Sequence, residues 1–584
     1  MTPNPAPRRQ TRPRLAAAAA IGAAVAVVLA ACGLPLPDPV PGQSPAAYSG
    51  LEVSEDRIEY AIGKVTDIVE EELEASGVPG AAVAVVHSGE VALAEGFGVR
   101  STETGESVDA RTVFPLASIS KPVSATVVAA ESAGGRVGWD TPVREFLPWF
   151  ALSDPRISDV VTVGDMFAHR SGLPEHAGDD LEDLGYERPA ILHGLRHLPL
   201  EPFRTSYAYT NFGLTAGAEA VAASARTPWA ELGRERLFDP LGMSDSSFSY
   251  DELLDRDNRA VGHVRAPAAE SGESSGEWIP ADPARDPDAQ APAGGLSSSV
   301  ADMARWMSMV LDDGKGPGGA QVVPSEALRQ ALTPQSVSAP PRDAADRTGS
   351  YGYGFNIGTS SSGRVQWSHS GAFALGAGTA MLMMPSLDLG IITLTNAAPT
   401  GIAETINARF SDYAQYGDPS LEWRELYTEQ FGPLLDPVGD LVSTRQPSAP
   451  APPRPAEELL GFYRNEYFGE IEVRPTVADE SSDTESSDTG SSDAGSPGAG
   501  SPGAGSPGAG SSGPELALAV GPGPLVWPLE HWDGDTFAVS PVGENWPRGS
   551  RGSVTFEGDT VTVELLDANG WGTFTRVDAD EPAD

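Results

Sequence analysis

The ten residues FPLASISKPV, Phe114 to Val123, set two serines, Ser118 and Ser120, immediately before one of the chain's few lysines, Lys121. Ser118-Ile119-Ser120-Lys121 fits the spacing S-x-x-K, Pro122 follows directly, and SATVVAAESAG continues as a helix. On a helix that begins near Ser118, residues i and i+3 share a face, so the Ser118 hydroxyl meets the Lys121 amine and Ser120 points elsewhere. Burial and the positive end of a helix both disfavour a protonated amine, which suits Lys121 to act as a neutral base towards Ser118. Taken alone, the same residues are explained by a serine capping a helix. The stretch needs support from elsewhere in the chain.

Two later elements supply it. Tyr209-Thr210-Asn211 lies within SYAYTNFG, and a tyrosine and an asparagine two apart on one strand or turn can face the same pocket. Tyr209 is suited to relay protons to a leaving group, and Asn211 to hold a substrate carbonyl or the lysine. His369-Ser370-Gly371-Ala372 then opens a strand, where a small residue and a glycine let a substrate backbone lie alongside. The Ala372 amide is placed to complete an oxyanion hole with the amide of Ser118.

With these three elements in order, the chain resembles the serine hydrolases related to class C β-lactamases, D-alanyl-D-alanine carboxypeptidases, D-aminopeptidases and family VIII esterases. The likeness extends to LFDPLGMSDSSF (237–248), FAHRSGLP (167–174) and PAGGLSSSVADMARW (292–306), and covers roughly residues 51 to 410. It implies Ser118 as the acylated nucleophile, Lys121 and Tyr209 as the proton-transfer pair, Asn211 as a positioning residue and the His369 triplet as the substrate-facing strand. No metal or organic cofactor is implied. True β-lactamases carry Lys-Thr-Gly at the third element, and a lysine there attracts a substrate carboxylate. A histidine, mostly neutral near pH 7, does so weakly, which favours an esterase, amidase or peptidase. The expected partner is a small-molecule ester or amide, or a D-amino-acid peptide. The alternatives are a D-aminopeptidase, a carboxypeptidase or a weak β-lactamase acting on cell-wall peptides, and, in another class, a catalytically silent binding protein.

Around this core the pattern predicts an α/β (α+β) fold, an antiparallel sheet with helices against it. Ile58, Ile62, Val65, Ile68, Val69 and Leu73 recur at helical spacing with Gly77 as the stop. AAVAVVHSGEVALAEGFG reads as a hairpin turning at Ser88-Gly89. The run from Val365 to Ala397 reads as a strand pair broken at Pro385 and Asp388, and Ala266 to Ala291 as a polar surface loop. The hydrolase domain is expected over residues 51–435, with a Pro-rich linker over 436–455. A small all-β, barrel-like domain follows over 456–584, similar to the lipocalin-like domain often appended to these hydrolases. The pentad array SSDTE to SSGPE, residues 481–515, has no large apolar side chain and is expected to be a disordered insertion within that domain. Trp532 is expected in its core.

At the N-terminus, Arg8, Arg9, Arg12 and Arg14 precede an uncharged apolar run ending Leu29-Ala30-Ala31-Cys32. This matches a bacterial lipobox, with 1–32 the signal peptide, the single cysteine lipidated and 33–50 a Pro-rich tether. The expected location is extracytoplasmic, lipid-anchored to the cell membrane. A formal net charge of −44 repels phosphate backbones, so no nucleic-acid partner is expected. Gly272-Glu273-Ser274-Ser275-Gly276 fits G-x-S-x-G only by chance, in a polar loop rather than between strand and helix. His193 and His197 lack an acidic third ligand at recognisable spacing, so no metal site is expected. His169 and Ser171 read as scaffold for the site.

Overall fold

The computed structural model describes residues 49, 51–266, 276–476 and 516–577. Cys32 and the tether apart from Ser49, most of the G-x-S-x-G stretch and the pentad array lie outside the described residues.

The chain begins with two helices, α1 (Glu55–Ile62) and α2 (Val65–Ser76), where the apolar spacing suggests one. Gly63 and Lys64 interrupt the run, and Gly77, in the left-handed conformation at φ 68°, ends it. The hairpin follows, β1 (Gly80–His87) and β2 (Glu90–Gly98). Every second residue of β1 faces a different core. Ala82, Ala84 and Val86 join the large central cluster, while Ala81, Val83 and Val85 join the one under α1 and α2. A strand buried on both faces is an inner strand, and β1 is paired on both sides.

Its second neighbour comes from the far end of the domain. The run from Val365 holds three strands rather than a pair: β6 (Val365–Phe373), β7 (Ala377–Met384) and β8 (Leu389–Thr395). Gly376 makes a second tight turn that the uninterrupted apolar pattern hides. With β3 (Ser336–Ala339), β4 (Gly349–Tyr351) and β5 (Asn356–Thr359), they form an eight-stranded antiparallel sheet in the order β2-β1-β8-β7-β6-β5-β4-β3. Helix α6 (Ile402–Tyr416) covers one face together with α1 and α2. On the other face α5 (Val300–Leu311) packs against β1, β2 and β8, and α3 (Ser120–Glu131) and α4 (Asn211–Ala225) share the central cluster beyond it.

The described residues 461–476 and 516–577 form a closed eight-stranded barrel, from Gly461–Asn465 to Thr573–Val577, with Tyr463, Val473, Leu518, Phe537, Val554 and Phe574 buried inside. Pro475 pairs with Leu516, so the strands that bracket the pentad array are neighbours in the barrel. Trp532 is buried, but against Leu441 and Ala538 rather than in the barrel's interior cluster. The Pro-rich stretch before the barrel is strapped to it: the Leu441 amide donates to Arg551, and the Ala451 amide to Asp533.

Candidate active site

Ser118 does not open a regular helix. It sits in a 3-10 turn, Ala117–Ile119, which runs into α3 at Ser120. Ala117 is held in the left-handed region at φ 47°, a costly conformation for a residue with a β-carbon, and one found disproportionately at functional sites. Ser120 keeps the turn in place. Its hydroxyl donates to the Ala117 carbonyl at 2.6 Å and accepts the Leu296 amide at 2.9 Å. The two serines thus have separate work, Ser120 as a buried brace and Ser118 partly open to a cavity of about 570 Å³.

Lys121 is fully buried. Its Nζ lies 2.9 Å from Ser118 Oγ, 2.8 Å from Asn211 Oδ1 and 2.9 Å from the Ala293 carbonyl oxygen. Burial pushes the amine down to about 7, against the nearby charges of Asp179 and Glu182, which raise it. A neutral amine has two N–H bonds and one lone pair. Asn211 and Ala293 accept the two hydrogens, which leaves the lone pair for the Ser118 hydroxyl proton.

Asn211 is the first residue of α4 rather than part of a strand. Its Oδ1 faces Lys121 and its Nδ2 donates to Asp179 Oδ2 at 2.9 Å, so the amide cannot turn over without breaking both bonds. Asp179 Oδ2 also lies 3.0 Å from His176 Nδ1. Sequence reasoning missed Asp179, because no spacing links it to Asn211 until the fold joins them. Tyr209 sits in the loop before α4 and lines the cavity with Ser118, its ring centroid 4.5 Å from Lys121 Nζ. Burial raises its ionisation far above the ordinary phenol range, so it works as a neutral donor and acceptor. His169 supports this loop: its Nδ1 accepts the Thr210 amide at 3.2 Å and its carbonyl accepts the Ala208 amide.

His369 lies in the middle of β6, not at its start. Among the described residues, the strand from His369 to Phe373 pairs with β7 alone, because its pairing with β5 ends at Ser368. One edge of this stretch is therefore free. Ser370, Ala372 and Phe373 line the Ser118 cavity. The His369 side chain is turned away from it. Its Nδ1 lies 2.7 Å from the Ser370 carbonyl and its Nε2 2.9 Å from the Tyr351 hydroxyl. A carbonyl only accepts, so the ring hydrogen is on Nδ1 and Nε2 accepts from Tyr351. Burial, with Lys121 nearby, pushes the imidazole down to about 3 and keeps it neutral.

Gly371 sets the distance between this strand and the nucleophile. A β-carbon there would lie 2.4 Å from the Leu116 carbonyl oxygen, 2.3 Å from Thr379 Oγ1 and 3.0 Å from the Ser118 nitrogen. Only glycine lets β6 come this close.

The surface loop expected over 266–291 is more than that. Its described part carries Arg285 and Gln290 into the site, where Arg285 Nη2 and Gln290 Nε2 each donate to Glu182 Oε2 at 2.5 Å. His193 and His197 do not converge. His193 stacks on Trp149 at 4.3 Å, and His197 faces Glu466 and Trp571. Among the described residues no group of three or more His, Cys, Asp or Glu side chains is arranged to hold a metal.

The site thus sets a buried lysine on a serine hydroxyl beside a strand with a free edge. Residues 65–414 match the family described as Beta-lactamase, and the chain belongs to that family of serine hydrolases. It is 29% identical over 401 residues to penicillin-binding protein 4 of Amycolatopsis lactamdurans, covering 67% of this chain and 94% of that one. It is 24% identical over 417 residues to unguisins hydrolase ungD' of Aspergillus campestris, covering 69% and 75%. Over 186 residues it is 29% identical to esterase EstB of Burkholderia gladioli, covering 29% and 47%. The fold is shared with the octameric penicillin-binding protein homologue from Pyrococcus abyssi, at 18% identity and a TM-score of 0.51 over 88% of this chain and all of that one.

Proposed function

We propose that this chain is an exported serine hydrolase, tethered to the cell membrane through lipid on Cys32, that cleaves an ester or amide through an acyl-enzyme on Ser118. The observation that carries the reading is the hydrogen-bond count at Lys121: two acceptors and one hydroxyl around an amine held near neutrality. Ser118 gives its proton to Lys121 as its oxygen attacks the carbonyl carbon. The oxyanion is held by the Ser118 and Ala372 amides, and the leaving group takes a proton through Tyr209. Water, activated by the same pair, attacks the acyl carbon, releases the acid and returns Ser118.

Two features favour a substrate with no carboxylate beside the scissile bond. His369 is neutral and turned to Tyr351, so it offers no charge to an anion. Asp179, Glu182, Asp436 and Glu544 line the cavity against Arg285 and His176, with Arg285 tied to Glu182; burial lifts Glu182 and Glu544 to about 7, so the acidic excess that disfavours anions is fully present only above that value. Similarity to penicillin-binding protein 4 along nearly its whole length favours, as a second reading, acyl transfer on D-amino-acid peptides. The export part rests on Arg8 to Arg14, the apolar run and Cys32.

The test is labelling with a fluorophosphonate and with a penicillin probe, on wild type, Ser118→Ala and Ser120→Ala. Fluorophosphonate should add one adduct to wild type and Ser120→Ala and none to Ser118→Ala. Wild type that labels with neither probe would instead be a binding protein. p-Nitrophenyl esters, D-amino-acid amides and nitrocefin then separate the two readings. Cys32→Ser should shift the protein from the membrane fraction to the medium.

A further inference from the structure

The Ser118 cavity is not built by the hydrolase domain alone. Glu544 and Asn545, on the barrel loop between the strands Thr536–Val539 and Gly552–Glu557, line it together with Ser118, Asn211 and Ala372. Each reaches a different wall. Glu544 Oε1 accepts the Ala374 amide at 2.7 Å and its Oε2 the Leu375 amide at 3.3 Å. Those amides belong to the turn between β6 and β7, two and three residues beyond Ala372. Asn545 holds the opposite wall: its amide donates to Asp183 Oδ2 at 2.7 Å and its Nδ2 to the Asp179 carbonyl at 3.0 Å. Asp179 in turn holds Asn211, and Asn211 holds Lys121.

The turn that Glu544 grips is closed by the Phe373–Ala377 pair and by the Gly376 amide donating to the Phe373 carbonyl, and Gly376 packs on Gly262, while the Ala374 and Leu375 amides are taken up by Glu544. Ala374 and Leu375 are only partly buried, and β6 lacks a neighbour on its outer edge here. Burial lifts Glu544 to about 7 against the pull of Arg285 and these amides, and above that value its carboxylate, accepting two successive amides, is a strong, directional clamp. Gly543 and Asn545 on either side of Glu544 lie against Asp183, so the glutamate's own position is set from the hydrolase domain as well.

We propose that Glu544, carried on the barrel, is a positioning residue for the acyl-transfer reaction, fixing the Ala374–Leu375 turn and through it the Ala372 amide that meets the oxyanion. The barrel is then part of the catalytic unit and not an appended module. The proposal rests on the reading of Ser118 as the acylated nucleophile, and the experiment below separates the two.

The full chain is reacted with a fluorophosphonate, whose phosphoryl oxygen occupies the oxyanion position, and the maximal labelling rate and half-saturating concentration are measured per reactive site. Glu544→Ala should lower the maximal rate by about tenfold or more, as expected when a carbonyl-binding group is displaced, with the half-saturating concentration within about twofold. Glu544→Gln keeps one acceptor oxygen and should recover a large part of the loss. A strut that merely holds the domains together would lower the unfolding midpoint and the number of reactive sites, but not the rate at each site. Wild-type rate per site in Glu544→Ala overturns the proposal. Should Glu544→Ala not fold, wild-type rate per site in Glu544→Met, which keeps the side chain's length and removes both acceptor oxygens, does so. Label on Ser118→Ala would instead sink the nucleophile assignment, whatever Glu544 does.

Discussion

Lys121 Nζ stands 2.9 Å from Ser118 Oγ at the bottom of the cavity, and the same nitrogen reaches Asn211 at the head of a separate helix. One amine thus joins the nucleophile's turn to the wall that faces it. Its charge decides whether the hydroxyl can be deprotonated.

The base form of Lys121 is the neutral amine, which predominates above about 7. kcat/KM for a neutral ester should therefore rise with pH through about 7 and level off above it. Lys121→Met should lose about 10²–10⁴ in rate, the usual contribution of a general base, together with that acid limb. An unchanged limb in a residually active Lys121→Met variant would assign the titration to another group.

Asp179 raises the Lys121 proton affinity through its charge and orients Asn211 through Oδ2. Asp179→Asn removes the charge, so the acid limb should move to lower pH as the plateau rate falls. A limb that moves to higher pH would contradict the electrostatic account.

Gly371→Ala places a methyl group within 2.4 Å of the Leu116 carbonyl and within 3.0 Å of the Ser118 nitrogen. β6 must then retreat from the nucleophile. We expect a stability loss of about 1–3 kcal/mol from overpacking, measured by urea unfolding, and a much larger loss of fluorophosphonate labelling. Labelling at the wild-type rate would show that the strand need not approach so closely.

Ser120→Ala leaves the buried Leu296 amide and one acceptor site on Ala117 without the brace. Unfolding free energy should drop by about 1–3 kcal/mol while Ser118 still labels.

Asp165 is fully buried and receives Arg170 Nε at 2.8 Å and Arg204 Nη2 at 2.8 Å, as well as the Thr162 amide in a capping box. Burial works against its ionisation, but these partners prevail and hold the carboxyl below its ordinary value of 3.8. The group binds a proton more readily in the unfolded chain. Its contribution is therefore present above that ordinary value and fades as pH falls through the lower, folded value. Asp165→Asn should cost toward the lower end of roughly 3–5 kcal/mol, because Arg204 is half exposed and partly screened. Its acid unfolding curve should also be flatter than that of wild type.

Much of the site is legible because its chemistry is local. Ser118 and Lys121 are one turn apart on continuous chain, and Tyr209 and Asn211 flank a single residue, so short motifs carry them. The hairpin turn at Ser88-Gly89 and the glycine stop at Gly77 likewise follow from local turn and capping chemistry that needs no tertiary information. The third strand around Gly376 was hidden because a tight turn of small residues leaves an unbroken apolar pattern. Arg285 and Gln290 were hidden because a polar, proline-rich composition looks the same in an exposed loop and in one folded over a site.

The sequence by itself made the family and the all-β character of the C-terminal region legible and set Ser118 beside Lys121, since each is written in neighbouring residues. Only the tertiary structure decided that Ser120 braces the turn, that His369 faces Tyr351 and not the cavity, and that Asp179 governs Asn211. It alone brought Glu544, more than 160 residues along the chain from Ala372, to the turn that follows the catalytic strand. Such contacts depend on where two separate cores come to rest against each other, and no local period or spacing encodes that.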